Sequence, residues 1–393
     1  MYRKTYVDIN VDNIENNIKE IINKYDYKYY IGVVKGNAAG HGMKLCKYIT
    51  KFGINYLAVS SLEEALESRK YTDVPILILE PIHIDELKIA EKNNISVTIS
   101  SYNYYKRINK EDYSNLKIHL KINTGMNRLG VSNKEEITEI YNDLIDDERV
   151  KLEGIYTHFA TTGVNDKYYD DQLNKFVELT SDIDLNRVEM VHLGRSCTLE
   201  FHPKISFANG IRIGLIMYGI GQTFNRYIGL KGKLRKIKYH FKRKIQNISK
   251  TYESNNINLK TGIELNTEVI ELQQLKPGDK VGYGLTYTAN ANTKIAVCPI
   301  GYADGLSLSF KNSKVSINNK LYKIVGTINM GMITIEVDSD VNIGDKVTIF
   351  GGNVNIKNVA RATNNTAYTV MTHIDSQIPR RYFVHGKEDS DEE

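Results

Sequence analysis

The chain has 393 residues, of which 41% are hydrophobic and 25% charged, with a formal net charge of +5. This is ordinary globular composition with room for two domains, and no apolar run reaches the ~18 residues that a membrane span needs. The first residues lack the apolar core of a secretory signal, and Cys46, Cys197 and Cys298 are too dispersed for a disulfide framework or a zinc site, so a reduced, cytoplasmic protein without a bound metal is expected.

In chain order, a segment of helical period over residues 11–24 is followed by eight short apolar runs at 31–35, 56–60, 75–79, 95–99, 118–122, 154–158, 188–193 and 211–213, mostly with amphipathic stretches between them. Apolar residues at steps of three and four over 137–145 give one of those stretches a face to lay on a sheet. Runs of this kind read as parallel strands covered on both faces, and eight of them predict a closed (β/α)8 barrel of the TIM type, with an open doubly wound sheet as the competing layout. Beyond residue 262 the pattern becomes alternating Thr, Val and Ile, punctuated by turns such as Lys276-Pro277-Gly278-Asp279. That predicts a mainly antiparallel β-domain. The expected organisation is a barrel over 1–222, a linker over 223–262, a β-domain over 263–385 and a disordered acidic tail over 386–393.

Ionisable and small polar residues recur where the predicted barrel strands end: Lys35, Lys121 with Arg128 seven residues on, His158, Ser196, and Arg212 with Gly214. Taken singly, each has a structural reading, such as a snorkelling lysine or a satisfied core histidine. In a barrel, however, the carboxyl ends of the strands converge on one mouth, so residues far apart in sequence can surround one ligand. A desolvated lysine at such an end can form a Schiff base. In the β-domain, Tyr302 lies between Gly301 and Gly305 just after a predicted strand, a position where a phenol can serve as acid or base if a neighbour lowers its pKa.

Several ordered motifs resemble the pyridoxal-phosphate-dependent alanine racemases of the barrel-plus-β-domain type. They include Val33-Val34-Lys35-Gly36-Asn37, Lys121-Ile122-Asn123-Thr124-Gly125-Met126-Asn127-Arg128-Leu129-Gly130, Gly154-Ile155-Tyr156-Thr157-His158, Arg212-Ile213-Gly214 and Gly301-Tyr302-Ala303-Asp304-Gly305, and they span nearly the whole chain. The resemblance implies pyridoxal 5'-phosphate as cofactor, a small amino acid such as alanine as substrate, and a homodimer with shared active sites. Lys35 then corresponds to the Schiff-base lysine and one of two bases, and Tyr302, contributed by the second subunit, to the other. Arg212 corresponds to the arginine at the pyridine nitrogen, and His158 to the histidine between that arginine and the tyrosine. Ser196, Tyr368 and the backbone of Gly214 and Leu215 correspond to phosphate contacts. Arg128 and the backbone N–H of Met330 face the substrate carboxylate, with Lys121 as a lysine that is carbamylated in many members.

Three positions depart from the family pattern. Ala39 replaces a phosphate-binding tyrosine, and loss of a hydrogen bond to a charged group costs about 1.5 to 3 kcal/mol. Arg195 replaces an asparagine, and the hypothesis is that it reaches the phosphate in compensation. Gly331 replaces an acidic residue at the site mouth. Two other readings stay open: a barrel-type decarboxylase using the same cofactor, and a weakly active cofactor-binding scaffold. Residues 231–250 carry nine Lys or Arg and no acid, with apolar residues at helical steps. They are expected to form a basic amphipathic helix that packs on the protein itself or docks on an anionic membrane surface or an acidic partner through 230–250. No motif supports nucleic-acid binding.

Overall fold

The computed structural model describes residues 3–162, 167–221 and 257–390. The basic segment 230–250, with its expected helix, lies outside the described residues. The chain divides into two compact units.

A first strand, β1 (Tyr6–Asn10), leads into a helix, Val11–Lys24, which Asn10 caps by accepting the Asn13 N–H at 2.8 Å. Ile14, Ile18 and Ile21 recur on the buried stripe of that helix. Eight parallel strands then close a barrel: β2 (Tyr29–Val33), β3 (Tyr56–Val59), β4 (Ile76–Ile78), β5 (Ile95–Ile99), β6 (Leu116–Lys121), β7 (Val150–Tyr156), β8 (Met190–His192) and β9 (Gly210–Ile213). Closure is made by β9 on β2, with Ile31 opposite Arg212. All eight expected runs are barrel strands, and the expected fold class is the observed one. Each of the eight is almost wholly buried, as strands covered by helices outside and filled by side chains inside must be. The covering helices start where the sequence offers a cap: Ser61 before Leu62–Arg69 and Asn133 before Lys134–Leu144. The second of these buries Ile137, Ile140, Tyr141 and Leu144.

The other unit is built on a ten-stranded sheet. Its later strands are β10 (Ile263–Glu268), β11 (Glu271–Leu275), β14 (Thr293–Cys298), β15 (Lys314–Ile317), β16 (Lys320–Val325), β17 (Ile333–Val337), β18 (Lys346–Phe350), β19 (Arg380–Val384) and β20 (Lys387–Glu388), while β12 (Lys280–Val281) and β13 (Tyr287–Thr288) form a separate hairpin. The order is β11-β14-β17-β16-β15-β18-β10-β1-β19-β20, antiparallel except for β1 on β19. Two features differ from expectation. First, β1 is a strand of this sheet, with Val7 opposite both Leu265 and Arg380, so a barrel starting at residue 1 is corrected: Met1–Glu15 and Gly36–Leu45 group with Lys260–Glu393. The ladder on both edges of β1 and the Asp8–Arg381 ion pair at 2.6 Å fix it there. Second, the disorder expected from residue 386 does not begin there, because Lys387–Glu388 pairs back on Phe383 and Val384. Two helices of this unit, Ile356–Ala362 and Ala367–Thr372, were not foreseen.

Candidate active site

Lys35 follows Val34, just past the end of β2. Among the described residues its amine has one loose contact, Nζ to Glu80 Oε1 at 3.4 Å between two half-exposed side chains. Such a pair contributes little, so the amine is held in place without being consumed. The backbone after it is unusual: Gly36, Asn37, Ala38, Ala39 and Gly40 all have positive φ (69°, 54°, 51°, 51° and 85°), which makes a left-handed turn. For a residue with a side chain this costs about 1 to 2 kcal/mol. The turn is closed by Gly40 N–H to Gly36 O at 2.9 Å and Gly42 N–H to Asn37 O at 2.9 Å. His41, fully buried and shifted by that burial down to about 4, gives its Nδ1 proton to Ala38 O at 2.9 Å. Ala39 is buried as well and offers no polar atom beyond its backbone.

Arg212, on β9, is 3% exposed. Burial lowers its pKa to about 10, which still leaves it cationic at neutral pH. Its Nη1 donates to His192 Nδ1 at 2.6 Å and to His192 O at 2.8 Å; its Nη2 donates to Thr157 O at 2.7 Å and Leu193 O at 3.0 Å, with His158 Nδ1 at 3.4 Å. Nε–H makes no hydrogen bond among the described residues. Since a guanidinium has only donors, His158 Nδ1 accepts and the histidine proton sits on Nε2. Burial, reinforced by Arg212 and Arg195, pushes His158 down to about 2, so it is a neutral ring.

Lys121 ends β6 at 5% exposure, with its amine 5.3 Å from the centre of the Tyr156 ring and no carboxylate in ion-pair range among the described residues. Burial, then the Arg128 and Arg212 charges, lower it to about 8. Arg128 is carried by a tight loop in which Asn123 Oδ1 accepts the N–H groups of Gly125 and Asn127. An open cleft is lined by Lys121, Thr124, Arg128, Thr157 and His158, among others. At its side, Ser196 Oγ accepts the Gly214 N–H at 3.0 Å and keeps its own proton to donate, while the Leu215 N–H has no partner among the described residues. Arg195 donates from Nη2 to Thr161 O at 3.2 Å, and its buried Nε has no partner among the described residues. The barrel unit therefore gathers Lys35, Lys121, Arg128, His158, Arg195, Ser196, Arg212, Gly214 and Leu215 at the carboxyl ends of its strands.

In the sheet unit, Tyr302 opens a short 3-10 turn, Tyr302–Asp304, and is 46% exposed. Its N–H donates to Asn329 O at 2.9 Å, and the Ala303 N–H to Met330 O at 2.9 Å, which ties Tyr302 to Met330. Gly301 permits this approach, because a Cβ there would lie 2.2 Å from Asn329 O and 2.4 Å from Met330 O. The Met330 side chain is 63% exposed, and its N–H has no partner among the described residues. Tyr368 is on the helix Ala367–Thr372 at 37% exposure.

Residues 9–222 match the family described as alanine racemase, N-terminal domain, and residues 262–382 match alanine racemase, C-terminal domain. The chain belongs to the alanine racemase family. It is 34% identical to the alanine racemase of Listeria innocua over 390 residues, covering 97% of this chain and 98% of that one, and 32% identical over the same length and coverage to that of Listeria monocytogenes serotype 4a. The crystal structure of alanine racemase from Bacillus anthracis with bound L-Ala-P superposes with a TM-score of 0.85 at 29% identity, covering 99% of this chain and 97% of that one. This racemase is accordingly a pyridoxal-phosphate-dependent enzyme, and neither the decarboxylase nor the scaffold reading has support. Its own donors fit such a cofactor: a loosely paired amine, a cation with one N–H to spare, a serine hydroxyl and N–H groups without a partner among the described residues suit an aldehyde, a ring nitrogen and a phosphate.

Sequence reasoning missed His192, Tyr156 and Gln172. His192 is the direct partner of Arg212, and Gln172 ties the loop and strand ends together by accepting the Ala160 N–H at 2.8 Å and donating to Thr124 Oγ1 at 3.0 Å. For His192 and Tyr156 the available signal was a polar residue inside a run that otherwise reads as fully buried; Gln172, on the helix Tyr168–Leu179, offered none.

Proposed function

We propose that the enzyme interconverts L- and D-alanine by proton transfer at Cα between two bases, Lys35 and the Tyr302 phenol of a second copy. When bound, the cofactor withdraws electrons from Cα and so makes its proton removable. The protein's part is to decide what happens to that proton. Arg212 is the observation that carries the reading: a buried, permanent cation with Nε–H left over opposes protonation of a ring nitrogen, which weakens electron withdrawal enough to favour simple reprotonation over transamination or decarboxylation. An acidic partner at that place would do the reverse.

His158 supports the second base. Its Nε2 proton is available to a phenol oxygen, and a hydrogen bond donated to that oxygen stabilises the negative charge it carries when it acts as a base. Ser196, Gly214, Leu215 and Arg195 hold the phosphate, a role that the family resemblance also gives Tyr368, and the Arg195 Nε offsets what Ala39 lacks. Arg128 takes the substrate carboxylate, a role that the family resemblance also gives the Met330 N–H. Lys121, largely deprotonated sooner than an ordinary lysine, is suited to react with carbon dioxide; its amine nitrogen bonds the carbon and releases a proton, and the resulting carbamate pairs with Arg128. A second copy is favoured by the exposure of Tyr283, Leu285, Tyr302 and Met330 on one unit, a set of large apolar side chains that a monomer has no reason to display.

The deciding experiment is Cα deuterium uptake from heavy water with L- and D-alanine, alongside Lys35→Ala and Tyr302→Phe. A two-base mechanism predicts that Tyr302→Phe still exchanges deuterium with one enantiomer while racemisation drops by about 100-fold or more. Equal loss of exchange from both enantiomers would refute separate roles.

A further inference from the structure

The barrel core holds a line of polar side chains that the residues at the strand ends leave unexplained. His119 on β6 and His192 on β8 are fully buried, Tyr56 on β3 is 2% exposed, and Glu153 on β7 is 4% exposed. Their hydrogen bonds run in single file from Arg212. Arg212 Nη1 meets His192 Nδ1 at 2.6 Å, His192 Nε2 meets His119 Nδ1 at 3.0 Å, and His119 Nε2 meets Glu153 Oε2 at 3.0 Å.

The two ends determine the direction of every link. The guanidinium can only donate, so His192 Nδ1 accepts and its ring proton lies on Nε2; that proton is given to His119 Nδ1, which leaves the His119 proton on Nε2 facing the carboxylate. At the far end, burial would raise the Glu153 pKa, but donors from His119, Ser96 (2.5 Å) and Tyr56 (2.6 Å) hold it at about 2. Lys117 Nζ lies 3.8 Å from the other carboxylate oxygen. Burial and the Arg212 charge keep His192 neutral.

The seats of both rings are shaped for them. A Cβ on Gly154 would lie 2.3 Å from His119 Nδ1, and the β6–β7 register shifts between Ile118 and His119 to bring the ring opposite that gap. His192 stacks on Tyr156 with centroids 4.6 Å apart at 13°. A buried polar file is costly unless every member is satisfied, and here each is.

We propose that Glu153, His119 and His192 are positioning residues for Arg212, a one-way file that anchors the guanidinium by Nη1 and leaves Nε–H presented to the cofactor. Each acceptor in the file is strengthened by the next, so the ionised carboxylate three links away makes His192 Nδ1 a better acceptor for Arg212. The inference rests on the reading that Arg212 faces the ring nitrogen.

Two measurements on the holoenzyme test it. In 15N-histidine ring spectra, His119 and His192 are each expected to carry their ring proton on Nε2; an Nδ1–H tautomer at either ring overturns the file. The second compares His119→Leu with His119→Gln, neither of which touches Arg212. The leucine variant is expected to weaken pyridoxal-phosphate binding about tenfold and to move the visible band of the bound cofactor, while glutamine, an acceptor at one end and a donor at the other, restores both to within about threefold. A merely structural role predicts that affinity follows thermal stability alone in both variants. If His119→Leu does not fold, Glu153→Gln removes the charge while keeping an oxygen for the three donors, and is expected to shift the band and weaken binding about threefold. An unchanged band and affinity in the folded variant overturns the proposal. Arg212→Lys separates the two failures: a band that moves in Arg212→Lys but not in His119→Leu defeats the file alone, and one that moves in neither defeats the reading of Arg212.

Discussion

The barrel hides its chemistry and the sheet unit displays it. Arg212 and Lys121 are 3% and 5% exposed, and His119 and His192 are fully buried, whereas Tyr302, Met330 and Tyr368 are 46%, 63% and 37% exposed. Arg212, His119 and His192 are each held by more than one partner and respond to their removal as core residues do. Exposed groups have few partners and gain their role only when something covers them. Substitutions that are alike in chemistry should therefore differ in consequence between the two units.

The largest contrast is expected between Arg212→Leu and Tyr302→Phe. The first leaves the carbonyls of Thr157, His192 and Leu193 without their donor, so unfolding free energy should fall by about 3 to 5 kcal/mol. The second should stay within about 0.5 kcal/mol of the parent while abolishing most racemisation. Urea unfolding of both, followed by circular dichroism, checks the pair, and equal destabilisation would break the comparison.

Acid should act unevenly as well. His158, at about 2, and the neutral His192 in the barrel, with His41, at about 4, in the sheet unit, stay unprotonated when folded but accept a proton near 6.5 when unfolded. The unfolded state thus binds more protons, and stability falls as pH drops below 6.5 by about 1.4 kcal/mol per pH unit for each such group. Glu153 acts in the same direction over a lower window: its contribution is present above the ordinary value of 4.5 and is lost as pH falls towards about 2. With two buried histidines and a glutamate against one histidine, the barrel should open first, which hydrogen exchange at stepped pH would register.

Packing in the sheet unit is tested by Gly301→Ala. The added Cβ meets two carbonyl oxygens at 2.2 and 2.4 Å, so the turn that carries Tyr302 must shift, at a cost of about 1 to 3 kcal/mol. Thermal unfolding gives the cost directly, and a full-stability variant would show that the turn is free to move.

Much of this was legible in the sequence because a parallel strand covered on both faces reads as an unbroken apolar run, and the functional residues lie at or near the ends of such runs at 35, 121, 158 and 212. Strand β1 was not assigned correctly, since nothing in Tyr6–Asn10 announces partners more than 250 residues away at Leu265 and Arg380. The file behind Arg212 was hidden for a related reason. His119 sits within an apolar run, Glu153 falls just before one, and the β6–β7 register shift that aligns them is a tertiary event. The role of Met330 and the contribution of Tyr302 from a second subunit were suggested only by resemblance, because an exposed side chain gives no sign of its partner until a second surface meets it.

The smallest expected effect on folding is the most telling about that second surface. Leu285 is 58% exposed and has φ 49°, a left-handed conformation that a branched aliphatic residue adopts at a cost. An isolated unit gains nothing from either feature, and asparagine tolerates this backbone better. Leu285→Asn should therefore leave the fold unchanged or more stable by up to about 0.5 kcal/mol. If Leu285 and its neighbour Tyr283, at 77% exposure, are retained to be covered by another copy, the same substitution should weaken self-association in sedimentation velocity and reduce racemisation at low protein concentration while sparing it at high concentration. A variant with unaltered association would place the cover elsewhere on the sheet unit and leave the strain at Leu285 without a function.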